Sequence, residues 1–72
     1  MTVVRGQELG RALAQSMAQI NAQIEVVRDE AKSMGIDPYK MRDGDGGWVM
    51  IPLVVAKVQC LHALVLVNQR NN

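Results

Sequence analysis

Residues 13–35 read LAQSMAQINAQIEVVRDEAKSMG, and the spacing of the apolar side chains within them decides the fold. Leu13, Met17, Ile20, Ile24, Val27, Ala31 and Met34 follow one another in alternating steps of four and three. At 3.6 residues per turn, those steps return each side chain to one face, the seam of a helix laid lengthwise on another. No proline lies upstream, so the helix is predicted over residues 4–34. Thr2 is its expected N-cap, Gly35 takes the left-handed position after the last turn, and Ile36 is placed to fold back on that turn.

A second helix is predicted over residues 52–69. Pro52 suits a first helical turn, where its missing N–H costs nothing, and neither glycine nor proline follows it in that stretch. Leu53, Val54, Leu61, Leu64 and Val65 are expected to form one broad face, with Val55, Leu66 and Val67 outside it. A helix that is apolar nearly all round needs more than one neighbour. The predicted lengths, roughly 45 Å and 27 Å at 1.5 Å per residue, also leave the first helix overhanging the second by about 18 Å.

Between the helices, residues 35–51 form the connection. Asp37 before Pro38 fits the cap and first position of a short helical turn. Tyr39, Met41, Trp48 and Met50 alternate with Lys40, Arg42 and Val49 around Asp43-Gly44-Asp45-Gly46-Gly47, which suits a short β-hairpin with a glycine-rich turn. The aspartates do not make an EF-hand loop, because counting from Asp43 puts Trp48 at the sixth position and Val54 at the twelfth, where glycine and glutamate are needed. Ordinary turn chemistry accounts for them.

With 72 residues, the chain has room for one domain, residues 1–72, and a monomer of this size buries a modest share of its surface, roughly 60%. Small domains usually gain stability from disulfides, a metal or assembly. One cysteine, Cys60, excludes an intrachain disulfide, so self-association as a homodimer or homotetramer is expected. The core must be aliphatic, since the chain has no Phe, one Trp and one Tyr. Together these features predict a mainly α fold: a long helix, a short loop or hairpin and a second helix, folded as an antiparallel helical hairpin that assembles into a homo-oligomeric bundle.

The interface expected between copies follows from two features of the first helix. Gly6, Gly10, Ala14, Ala18 and Ala22 recur every four residues as a ridge of small side chains, and each glycine costs about 1 kcal/mol in a helix interior relative to alanine. From Ala12 to Ile24 there is no charged residue, only Gln15, Ser16, Gln19, Asn21 and Gln23 among the polar positions, a pattern of charge depletion typical of interface cores. The predicted interface residues are Gly10, Leu13, Ala14, Met17, Ala18, Ile20, Ala22 and Ile24 on the first helix, with Val58, Leu61 and Val65 on the second. Trp48 is expected to cover the end of the core or, with Tyr39, to anchor a partner.

The stretch Gly46-Gly47-Trp48, then Pro52-Leu53, Ala56 and the apolar run Leu61 to Leu66 resembles the C-terminal half of small uncharacterised proteins of actinobacterial phages. The likeness covers about half the chain. It implies a phage or prophage accessory protein, with a host protein as a further partner and no chemistry to carry over to any residue.

No catalytic set is legible. Cys60 and His62 are two apart and so point to different sides of a helix, which makes Cys60 a small buried hydrophobe and His62 a polar-face residue or interface hydrogen bonder. No metal, cofactor or small-molecule substrate is implied, and an enzyme is the least supported class. A formal net charge of +1 gives no strong field toward nucleic acid or membrane. A nucleic-acid regulator, with Arg5, Arg11, Lys40, Arg42 and Arg70 gathered by assembly, is the runner-up. A membrane-acting protein is the third reading, disfavoured because residues 48–67 contain Pro52, Lys57, Gln59 and His62. The N-terminal stretch lacks an apolar run with a small-residue cleavage site, which makes the cytoplasm the expected compartment.

Overall fold

A computed structural model describes residues 6–71 of the chain. Helix α1 spans Gly6–Met34 and helix α2 spans Met50–Asn71, joined through a 3-10 turn at Pro38–Lys40. The two helices lie against each other along their length as a helical hairpin. The predicted cap at Thr2 and start at Val4 lie outside the described residues.

The C-terminus of α1 follows from Gly35. Its φ of +69° is open to glycine at no steric cost, and the reversal sends its N–H to the Lys32 carbonyl at 3.1 Å and the Ile36 N–H to the Ala31 carbonyl at 3.0 Å. This pair of bonds is a Schellman motif, which satisfies two of the carbonyls that a helix end leaves free. Asp37 then caps the 3-10 turn by accepting the Tyr39 N–H at 2.9 Å, with Pro38 in the first turn.

The core is thin and aliphatic. Ile24, Val27 and Met50 are buried, with Ile20, Met41, Val49, Leu53 and Val54 packed around them, and Ala31, Cys60 and Val67 close the seam along the rest of the helices. Val67 reaches Gly10, whose added Cβ would stand 4.0 Å from Val67 Cγ1. In this antiparallel register one further turn of α2 brings Asn71 level with Gly6. The expected overhang of α1 is therefore corrected: α2 begins earlier and ends later than predicted, so the helices are level at the open end and the excess of α1, about 10 Å at 1.5 Å per residue, lies at the loop end. Met34, expected on the seam, is exposed, because α1 outruns the contact after Ala31.

The connection contains no strand. A single antiparallel bridge pairs Arg42 with Trp48, flanked by Asp43 N–H to the Gly47 carbonyl at 2.8 Å and Val49 N–H to the Met41 carbonyl at 3.4 Å. The chain enters α2 immediately afterwards, leaving no length for a ladder. The pairing is also one residue out of step with the predicted alternation. The slip exchanges the sides of Trp48 and Val49, so Met41 and Val49 turn inward while Arg42 and Trp48 share the outer side.

The shape follows from two helices with no third layer. The molecule measures 48 × 21 × 15 Å with a radius of gyration of 15.6 Å, where a compact domain of this length has about 11 Å. Each helix consequently has one covered side and one open side.

Candidate interaction surface

Helix α2 carries two seams, each with alternating steps of three and four. The inner one runs Met50, Leu53, Lys57, Cys60, Leu64 and Val67, all buried or half-buried. Half-buried Ala56 and Ala63 flank it. Their small size, with Gly10 and the fully buried Ala31 on α1, allows the backbones to approach closely. The Cys60 thiol uses that closeness to donate to the Leu13 carbonyl at 3.2 Å.

The outer seam is displaced by one residue and runs Ile51, Val55, Val58, His62 and Val65, all exposed. Leu61 and Leu66 border it. Val58, at its middle, is 59% exposed. Six aliphatic side chains, each about half open to water, make a patch on the order of 500 Å², within the range at which surface patches mark interaction sites. No charged residue interrupts it, since the stretch's one cation, Lys57, is half-buried and turns to a groove beside α1.

The residues predicted for an interface fall into separate groups. Leu13, Met17, Ile20 and Ile24 lie on the side of α1 that meets α2, which buries Ile24 and half-buries the other three within the chain. Ile24 is only 5% exposed, and an interface role for it is corrected on that ground. Gly10 also faces α2, whereas Ala14, Ala18 and Ala22 are exposed. Steps of four rotate about 40° each, so the small ridge begins at the seam and winds around to the open side. Val58, Leu61 and Val65 are exposed on α2, which corrects the expectation that Leu61 and Val65 share a face with Leu53 and Leu64. Val67, expected outside that face, is buried.

Ile51, Val55 and Leu66 belong to the outer patch: Val55 and Leu66 were expected outside the main face but were not among the predicted interface residues, and Ile51 was missed. The signal was present as a second three-and-four pattern one residue out of phase with the first. It is obscured in sequence because both patterns draw on the same unbroken run of Val, Leu and Ile.

The loop end is held by local bonds. Asp43 Oδ1 accepts from the N–H groups of Asp45 and Gly47, both at 2.8 Å, and Gly46 adopts a φ of +82°. The Arg42 guanidinium lies 3.7 Å from the Trp48 ring centroid and donates to the Gly46 carbonyl at 2.8 Å. Trp48 is thus not buried as a lid on the core: 44% exposed, it is covered on one face by arginine. Tyr39 is exposed and lines an open groove of about 400 Å³ with Asn21, Ile24, Glu25, Arg28, Val54 and Lys57.

Of the basic residues considered for nucleic acid, Arg11 lies toward the open end of the hairpin and Lys40 and Arg42 at the loop end, so one chain does not gather them. Arg5 lies outside the described residues, as does the side chain of Arg70. Among the described residues, no three His, Cys, Asp or Glu side chains are grouped to hold a metal ion. No protein-family model, curated protein or solved structure matches the chain.

Proposed function

We propose that this protein is a self-assembling helical hairpin that acts as a protein-interaction module, with the outer seam of α2 as its assembly face. The observation that carries this reading is the seam itself: aliphatic side chains at heptad spacing, exposed along one side of a helix whose other side is already filled. Knobs at that spacing fit the holes of another helix with the same pattern. Two such patches face to face remove on the order of 1,000 Å² from water, the lower bound for a specific interface. The second copy is the occupant that supplies a matching seam without invoking another protein. In that arrangement two hairpins form a four-helix bundle with the α2 helices at its centre.

Sedimentation equilibrium of the full chain tests this reading. Wild type is expected to associate at micromolar concentration, and Val58→Glu, which puts a charge at the middle of the seam, to remain a folded monomer. A wild type that stays monomeric while fully helical overturns the proposal. Ala18→Arg, on the open side of α1, reports whether that helix also takes part. A host protein, the partner implied by the phage-protein resemblance, is the competing occupant, and it predicts a monomer that associates only in the host protein's presence.

One further observation favours a second reading. The span Met50–Gln69 is long and apolar enough to cross a membrane by length and composition, and little of it is buried. Against insertion stand Lys57 and the pairing of the inner seam with α1, which carries the exposed charges Arg11, Asp29 and Glu30. Co-flotation of the chain with phosphatidylcholine vesicles would support the membrane reading, and recovery in the vesicle-free fraction would remove it.

A further inference from the structure

The outer seam has one polar member. His62, the only histidine in the chain, occupies the heptad position between Val58 and Val65, one turn from each, and is exposed on the side of α2 away from α1. A polar residue at one core position of a coiled coil lowers stability and fixes register. Histidine adds a dependence on protons, because it is the side chain that changes charge in the physiological range.

The geometry points to His62 as a proton-controlled knob: self-association through the outer seam takes place with His62 neutral and is opposed when it is protonated. The inference rests on the assembly reading above and adds its regulation. Its sign does not depend on how the copies are oriented. In a parallel pair His62 meets the same residue of the second copy, and two imidazoliums repel. In an antiparallel pair that sets it against an aliphatic layer of the second copy, an imidazolium is desolvated. Neutral imidazole carries one donor and one acceptor and can be satisfied by its twin or by water at the edge of the seam.

No other titrating group of the seam opposes this. Helix α1 lies on the far side of α2, no element of the described residues covers the outer seam, and Lys57 turns to the groove with Asn21, Glu25 and Arg28. Every other position of the outer seam from Ile51 to Val65 is aliphatic.

Since the assembled state binds fewer protons than the free chains, association strengthens as pH rises through the range in which histidine loses its proton and then levels off. Within and below that range, two histidines released per dimer weaken it by up to about 100-fold per pH unit, and partial burial by about tenfold. Sedimentation of the full chain at about pH 7.5 and about pH 5.5 keeps carboxylates ionised in both conditions. Wild type is expected to dissociate at least about tenfold more readily at the lower pH, with helical circular dichroism unchanged. His62→Leu is expected to associate more tightly than wild type and equally at both. Equal association of wild type at both pH values overturns the inference and leaves the assembly reading standing, as does a pH response that persists in His62→Leu. A helical monomer at both pH values overturns the two together.

Discussion

The Cys60 thiol donates a hydrogen bond to the Leu13 main-chain carbonyl, 3.2 Å away across the two helices. A side chain as short as cysteine spans that gap only because the helices are close there. Cys60→Ala removes both the sulfur and its bond, and a loss of about 1 kcal/mol in urea denaturation is expected. Cys60→Leu, which forces extra volume into the same contact, is expected to cost about 1–3 kcal/mol. Labelling by a thiol reagent should be slow in the native protein and rise with denaturant along the unfolding curve; rapid labelling without denaturant would contradict the burial of Cys60.

The turn after α1 depends on a backbone conformation rather than on space. An added Cβ at Gly35 meets nothing within 4 Å, so the cost of a side chain there is that of φ +69° alone. Gly35→Ala is expected to destabilise by about 1–2 kcal/mol. Gly35→Asn should lose less, because asparagine enters the left-handed region more readily. Equal losses for the two variants would show that another effect dominates.

Gly47 is the opposite case. An added Cβ would lie 3.0 Å from Asp43 Oδ2 and 3.5 Å from its Cγ, so the carboxylate that collects the Asp45 and Gly47 amides must move. Gly47→Ala and Asp43→Ala are therefore expected to lose similar stability, about 1–2 kcal/mol each, and their double variant less than the sum. A fully additive double variant would separate the two residues.

Met50 is 1% exposed at the start of α2, beside Ile24 and Val27, whereas Val26 is 61% exposed on the open side of α1. Met50→Ala is expected to cost about 2–5 kcal/mol, a large part of the ~4–11 kcal/mol that a chain of this length can have. Val26→Ala should change thermal stability little. Similar melting of the two variants would place the core elsewhere.

Arg42 covers one face of Trp48. Arg42→Ala should raise the acrylamide quenching of Trp48 fluorescence and cost about 0.5–1 kcal/mol. Quenching that matches wild type would mean that the stack does not form in solution.

Much of this fold was legible because its signals are local. The seam from Leu13 to Ala31, the stop at Gly35 and the Asp37-Pro38 turn each depend on residues within a few positions of one another. The loop register was not, because setting Trp48 beside Arg42 rather than on the side of Met41 is decided by which side chains α1 and α2 can receive. Of the candidate surface, Val55 and Leu66 were legible as apolar residues in excess of one neighbour and Val58, Leu61 and Val65 as interface residues, while Ile51, just before the predicted helix start, was hidden.

The sequence by itself determined two helices, the end of the first and a polar, glycine-rich turn between them, since helix periodicity and caps are written in neighbouring residues. The tertiary structure decided which of α2's two seams meets α1. Both are apolar and both have helical spacing, so hydrophobicity does not choose between them. Close approach does: the inner seam carries Cys60, which lies against the Leu13 main chain, and is flanked by the small Ala56 and Ala63, while Gly10 receives Val67, so the backbones draw together. The β-branched seam, with His62 in it, is left facing outward.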